Sequence, residues 1–431
     1  MRPLYSLLIR CAAPLAFAVV LLRGVRDRGY WQGLGERFGF GARLASAASG
    51  AGSIWLHAVS LGEVTAAAPL IRGIQAQHPN IPCIITTGTP AGRARAVALF
   101  GAGVDIRYLP YDTPGSVRRF VARTRPRLAV ILETELWPNL FERCRTGGVP
   151  LLLVNARLSG KSVSRYLRMD RIFGGLVRGL FSGQVFVAAQ SAGDAERFRA
   201  IGAPGNQVSV AGNIKFDLQP DAATEHAGRA LRQSFGAGLK AGRPVWIAGS
   251  THAGEDEQVL AAHGALLAQM PDALLLLAPR HKDRFAIVAA LLESRGLQFV
   301  RRSSGAAPTA ETRVLLVDTL GELSMLYAAA DVAFVGGSLV PVGGHNLLEP
   351  AALGLPVLTG PSHSNSKEVA QLLLREGVAT EVADAAELAS ALLRLLRDAD
   401  ERQRIAVRSK HLMAANGGSV GRLLSLVETR L

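Results

Sequence analysis

The sequence predicts an α/β protein of two domains, each a parallel sheet with helices on both faces. Three observations carry this. The chain has 431 residues, beyond the size at which a single core stops growing. From Ser53 onward, short apolar runs alternate with helix-length segments, the pattern of a parallel sheet covered on both sides. That alternation stops after Val208–Ala211 and restarts at Val245–Ala248, so two such sheets are expected.

In the first series the runs are Ile54–Val59, Cys83–Thr87, Leu128–Leu132, Leu151–Val154 and Val185–Ala188, closing near Val208–Ala211. The stretch Asn213 to Arg243, with Pro220 and Gly236-Ala237-Gly238, reads as the interdomain connection. The second series is Val245–Ala248, Leu274–Ala278, Val314–Val317, Val332–Val335 and Pro356–Thr359. Expected boundaries are 50–215 for the first domain and 240–415 for the second, facing a central cleft. A last helical segment, 419–431, follows Gly417-Gly418 and is long enough to pack back across that cleft.

Ahead of the first domain, residues 1–35 read as a membrane anchor with a basic flank. Leu4 to Leu22 is apolar except for Ser6 and Arg10, and Arg23, Arg26 and Arg28 follow. Arginines, Tyr30 and Trp31 stand where a signal peptide would need small residues for cleavage. As an anchor the segment fits a marginal single span or a helix lying in the interface, and the alternative is a buried core helix. The arginines behind the apolar run place the body on the cytoplasmic side. A Gly/Ala/Ser-rich stretch, Gly41 to Ser53, separates anchor from body.

A hydrophobic fraction of 49% excludes disorder, and a net charge of +14 with a pI near 10.5 calls for an anionic partner. No aromatic-basic cluster, zinc spacing or helix-turn-helix signal accompanies the charge, so no nucleic acid is expected. Cys11, Cys83 and Cys144 are isolated and form neither a disulfide framework nor a metal site.

Ligands of such sheets bind outside the carboxyl ends of the strands, and there the unusual residues collect. Ser60-Leu61-Gly62-Glu63 after the first strand is a capping box, which gives Glu63 a structural role. A carboxylate kept ionised beside the positive helix end also suits a general base. Glu133-Thr134-Glu135-Leu136-Trp137 follows a strand with two acids that packing does not call for. Asn155-Ala156-Arg157 adds a cation, and Lys215 closes the first domain. In the second domain Gly249–Glu255, Pro279-Arg280-His281 and Asp318–Glu322 end successive strands. Gly336-Gly337-Ser338, leading to Gly343-Gly344-His345-Asn346-Leu347-Leu348-Glu349, opens a helix. Its glycines and free N–H groups suit a phosphate, and Asn346 and Glu349 form a second capping box. Together these ends describe a nucleotide site of amides, an arginine and an acid. The absence of a Walker loop and of G-x-G-x-x-G excludes an ordinary ATPase or dehydrogenase.

At these residues, in this order, the chain resembles the Kdo transferases, which attach 3-deoxy-D-manno-octulosonic acid to the lipid A precursor. The resemblance implies a GT-B glycosyltransferase fold and a metal-independent, inverting transfer from CMP-Kdo, with no cofactor. It implies that Glu63 is the general base and that Glu133 and Lys215 stabilise the transition state. It also implies that Pro279, Arg280, Leu320, Gly321, Glu322, Asn346, Leu347, Leu348 and Glu349 bind CMP. The expected partners are then CMP-Kdo, the lipid A precursor and the anionic lipids of the inner membrane, at its cytoplasmic face. Arg301–Thr312 carries no motif. A UDP-sugar transferase or epimerase is the enzymatic alternative, and it would need room and charge for a diphosphate. A membrane-attached scaffold keeping the same fold has no need of these charged groups.

Overall fold

A computed structural model describes residues 2–43, 52–218, 221–235 and 242–431. Most of the Gly41–Ser53 stretch, with Pro220 and Gly236-Ala237-Gly238 of the connection, lies outside the described residues. The chain forms two compact units: Met1–Asp217 together with Asn416–Leu431, and Leu218–Ala415.

The first unit holds β1 (Ser53–His57), β2 (Cys83–Thr87), β3 (Asp105–Tyr108), β4 (Pro126–Leu132), β5 (Leu151–Ala156), β6 (Val185–Ala189) and β7 (Val208–Val210). They make one parallel sheet in the order β3-β2-β1-β4-β5-β6-β7. Alternate residues of β1 feed opposite faces. Trp55 packs with Ile131, Leu153 and Phe198 on one side. Ile54 and Leu56 pack with Val130, Leu152 and the helix Leu61–Gln77 on the other. Burial on both faces is why the sequence shows unbroken apolar runs rather than alternation. The helix Ser419–Glu428 closes this second face through buried Leu423 and Val427.

The second unit repeats the plan with β8 (Val245–Thr251), β9 (Leu274–Pro279), β10 (Phe299–Arg301), β11 (Val314–Leu316), β12 (Val332–Val335), β13 (Val357–Thr359) and β14 (Ala379–Glu381). The order is β10-β11-β9-β8-β12-β13-β14, again all parallel. In each sheet the winding reverses at the first strand, between β1 and β4 and between β8 and β12. Side chains at the carboxyl ends of those pairs line the crevice where such sheets take ligands.

β3, β10 and β14 are absent from the sequence-based series. All three lie at sheet edges, and each carries charge (Asp105 and Arg107, Arg301, Glu381) that hides the strand pattern.

The N-terminal helix, Arg2–Arg26, is apolar enough to cross a membrane by composition, with a mean hydropathy of 2.0. It is also seated on the first unit. The Tyr5 hydroxyl donates to Asp112 at 3.0 Å, and the Ser6 hydroxyl donates to Asn139 at 2.7 Å.

Candidate active site

In the first unit the site is assembled at the β1–β4 reversal. β1 ends at His57, which is fully buried, its Nδ1 lying 3.0 Å from the Thr86 carbonyl. Burial drives its pKa down to about 4, so it is a neutral core histidine with no part in acid–base chemistry at neutral pH. Ser60 then caps the helix Leu61–Gln77, accepting from the Glu63 amide at 3.3 Å. The Glu63 carboxylate folds back to accept from the Val59 amide and the Ser60 hydroxyl, both at 2.8 Å. The capping box therefore exists, shifted so that the reciprocal amide is the one before the cap residue.

Burial raises the Glu63 pKa, and the neighbouring Glu133 raises it further, against the hydrogen bonds from Val59 and Ser60. The expectation of a carboxylate simply held ionised by the helix end is corrected in direction. Desolvation, with the like charge of Glu133, outweighs the hydrogen bonds from Val59 and Ser60.

Glu133 leaves β4 with φ +56°, while its amide donates to the Val154 carbonyl at 2.9 Å. Asn155, in the neighbouring strand, has φ +52°. Two adjacent left-handed residues that are not glycine mark strain held by the surrounding sheet, of a kind that gathers at functional sites. Glu135 follows, and burial, then the charge of Glu63, and also that of Glu133, push its pKa up to about 7. Glu63, Glu133 and Glu135 are thus within electrostatic reach of one another.

Lys215 sits in the turn Ile214–Asp217, which packs against the helix that Glu63 opens. Buried Asn155 accepts from the Ile214 amide at 3.1 Å, and the Asp217 carboxylate accepts from the Val420 amide. Sequence reasoning gave Asn155 no task. It ties the end of β5 to the lysine turn, a role whose only sequence signal is an asparagine placed where a strand must exit left-handed.

In the second unit the β8–β12 reversal is organised by Glu255. Its side chain is 0% exposed and accepts from the amides of His252 (3.0 Å), Gly337 (2.6 Å), Ser338 (2.9 Å) and Leu339 (2.9 Å). Gly336 is required beside it, since a Cβ there would lie 2.7 Å from the Ser250 carbonyl oxygen. A protein carboxylate thus occupies the Gly337, Ser338 and Leu339 amides, which narrows the expected phosphate contact to the later part of the glycine-rich loop. The helix that follows, Leu348–Ala352, is a single short turn. Asn346 lies one residue ahead of its cap position, accepts from the Leu348 amide at 3.1 Å and donates to Glu349 at 3.1 Å. The second capping box is accordingly replaced by a side-chain pair that aims Glu349.

Among the expected groups, Asn346 and Arg280 act directly on Glu349. Burial raises its pKa, opposed by Asn346 and by the charge of Arg280. His345 is driven down to about 4 by burial, then by Arg280, His252 and His281. Its Nε2 lies 2.8 Å from that of His252, so one ring donates and the other accepts. Arg280 is exposed and Pro279 buried, while Leu347 and Leu348 are core side chains that can reach a ligand only through backbone. Leu320 is exposed, and Gly321 turns with φ +87°. Burial pushes Glu322 up, but hydrogen bonds from Arg302 and Thr319, with the Arg302 charge, hold it below the ordinary range. Arg302 comes from the stretch that carried no motif. It orients an expected nucleotide-binding acid.

Two parallel α/β sheets, each with ligand-facing groups at its reversal point, define the GT-B class. Solved structures of that architecture match at the level of fold alone. UDP-GlcNAc 2-epimerase from Neisseria meningitidis aligns with a TM-score of 0.57 at 14% identity, over 88% of this chain and 99% of its own. Anabaena HepE in complex with UDP-glucose aligns with a TM-score of 0.53 at 15% identity, over 88% and 100%.

The family model for 3-deoxy-D-manno-octulosonic-acid transferase matches residues 32–218, and that for group 1 glycosyl transferases matches residues 297–412. The 3-deoxy-D-manno-octulosonic acid transferase of Haemophilus influenzae is 39% identical over all of this chain and 99% of its own length. That of Bordetella pertussis is 40% identical over 99% of each. The chain belongs to the 3-deoxy-D-manno-octulosonic acid (Kdo) transferase family and is an enzyme of the glycosyltransferase class.

Two outcomes test this geometry. Glu255→Ala strands four loop amides, two of them buried, and should cost about 2–6 kcal/mol in urea unfolding, at about 1–3 kcal/mol for each buried donor left unmet. Glu135→Gln tests the acid cluster. An acid whose folded pKa is raised to about 7 contributes stability below its unfolded pKa and loses it as pH rises through 7. The melting temperature of the Gln variant relative to the parent should therefore rise between about pH 5.5 and pH 8; a difference independent of pH would remove Glu135 from the cluster.

Proposed function

We propose that the enzyme moves Kdo from CMP-Kdo to the lipid A precursor, lipid IVA, at the cytoplasmic face of the inner membrane. The acceptor hydroxyl attacks the anomeric carbon of Kdo while the bond from that carbon to the CMP phosphate oxygen breaks. The configuration inverts, the hydroxyl proton passes to Glu63, and CMP leaves with both electrons of the broken bond. The observation that carries this assignment is the Glu63 carboxylate at the β1–β4 reversal, with a pKa raised by burial and by Glu133. A raised pKa strengthens a base.

Glu133, held in a strained conformation at the end of β4, favours the positive charge that develops at the anomeric carbon. Lys215 offsets the donor's carboxylate or the leaving phosphate. Arg280 supplies charge to the CMP phosphate, Glu322 and Glu349 take ribose hydroxyls, and Pro279, Leu320, Gly321, Asn346, Leu347 and Leu348 contribute backbone and shape. With the Gly337–Leu339 amides engaged by Glu255, the charge that meets the phosphate comes from Arg280 and not from that first part of the glycine loop. A net charge of +14 suits a donor, an acceptor and a lipid surface that are all anionic. The chemistry needs no cofactor.

Glu63→Gln preserves shape and serves the capping box as well as Glu does. It cannot accept the proton, so Kdo transfer should fall by roughly 100- to 10,000-fold with folding and CMP affinity nearly unchanged. Near-parental transfer with lipid IVA and fresh CMP-Kdo would return Glu63 to a purely structural role. In the other unit, Arg280→Ala removes a charge-assisted contact worth about 1.5–3 kcal/mol and should weaken CMP binding in calorimetric titration by roughly 10- to 100-fold. Unchanged CMP affinity would displace the phosphate from Arg280.

A further inference from the structure

The N-terminal helix Arg2–Arg26 has two faces that divide cleanly. Tyr5, Ile9, Ala13, Phe17, Val20 and Gly24 are its sheltered positions, spaced three or four apart along the whole helix. Near one end Tyr5 reaches Asp112 and Ser6 reaches Asn139. In the middle the Phe17 ring meets Phe38 edge-on, with centroids 5.1 Å apart. At the far end Gly24 is buried under Trp31, whose indole nitrogen donates to the Leu21 carbonyl at 3.0 Å. That segment is pinned in turn to the sheet, because the Tyr108 hydroxyl donates to the Gly29 carbonyl at 3.2 Å. From Tyr5 to Gly24 the docked stripe runs about 28 Å at 1.5 Å per residue.

The opposite face is apolar and bare. Leu4, Leu7, Leu8, Leu15, Leu22 and Val25 recur at helical spacing, and Leu15, Leu22 and Val25 are 70–72% exposed. Exposed Arg10 and Arg23 fall on its two flanks and Arg26 near its end, placed to snorkel toward phosphates.

A helix crossing the bilayer must part from a water-soluble body within a turn or so. This one keeps its contacts over a length close to the roughly 30 Å of a hydrocarbon core. Standing it upright would carry buried Asp112, Asn139 and the helix they cap into lipid, at a cost of several kcal/mol for each stranded polar group. Lying flat, the same helix sinks only its apolar stripe and leaves the arginines at the headgroups.

We infer that this helix is a permanently docked, in-plane element of the first unit. It rests its leucine stripe in one leaflet of an anionic membrane and does not cross it. This builds on the membrane location proposed above and fixes its geometry. It also gives the helix a second task. Asp112, held by Tyr5, accepts from the Asn139 and Leu140 amides at 3.0 and 2.8 Å and so caps the helix Pro138–Thr146. The loop leading into that helix carries Glu133 and Glu135. The lipid-bound helix therefore sets the height of the acidic cluster above the surface that presents the acceptor.

The test uses the native thiol content, since Cys11 is exposed while Cys83 and Cys144 are buried. In a Cys11→Ala background, Leu4→Cys and Val25→Cys each place one label on the bare face, where folding is not at stake. Each variant is labelled with an environment-sensitive fluorophore on phosphatidylethanolamine/phosphatidylglycerol vesicles carrying nitroxides at shallow or deep acyl positions of the outer leaflet alone. An in-plane helix gives both sites the same shallow depth, with shallow-to-deep quenching ratios agreeing within about twofold, as both lie at one level of the interface. A crossing helix puts the two sites near opposite leaflets. In cells, the thiol at position 4 would then react with an impermeant maleimide from the periplasmic side; that result would overturn the in-plane arrangement and leave membrane attachment standing. Absence of quenching by either lipid would overturn both.

Discussion

A buried carboxylate gathering backbone amides organises the second unit. Glu255 accepts from the amide of its own loop and from three successive amides of the loop after β12, bridging the two strands between which the winding reverses. Four hydrogen bonds meet on this one side chain, more than on any other acid described above. It dictates Gly336, where no side chain fits, and it steers the chain on to His345 and Glu349. The groups expected to meet a nucleotide follow a loop whose first three amides after Gly336 are already taken.

The first unit solves the same topological problem with repulsion. Three glutamates converge at its reversal point, and desolvation and mutual charge keep the pKa of Glu63 and Glu135 above the usual carboxylate range. Such a cluster costs stability, and the strain at Glu133 and Asn155 adds to that cost. The compensation comes from a sheet buried on both faces and from the contacts that pin each loop: Val59 and Ser60 on Glu63, and Asn155 on the lysine turn.

Most of this was legible in the sequence, for definite reasons. Central strands buried on both faces leave continuous apolar runs, so β1, β4, β8 and β12 stand out, and strand ends in an α/β sheet are where chemistry is sought. Edge strands β3, β10 and β14 were not legible because their charged residues break that pattern. The partner of a loop was not legible either. Glu255 and Gly337 are 82 residues apart, and nothing local reveals that the first amides of the glycine loop are taken by an acid rather than open to phosphate. Arg302 escaped for the same reason, since its value lies wholly in the Glu322 it orients.

The chain path has a consequence for biosynthesis. The second unit is one continuous stretch, whereas the first is split, with Asn416–Leu431 returning to it. Leu423 and Val427 complete one face of its core, and the Val420 amide fixes Asp217 in the turn that carries Lys215. On the ribosome the N-terminal helix and all seven strands of the first sheet emerge before the segment that seals them. The second unit has every residue it needs before that moment. The first must wait with one face of its sheet incompletely covered while about 200 further residues are made, some tens of seconds at bacterial elongation rates. Its leucine-striped helix is made and exposed throughout that interval, so the helix is complete before the turn that carries Lys215 is fixed.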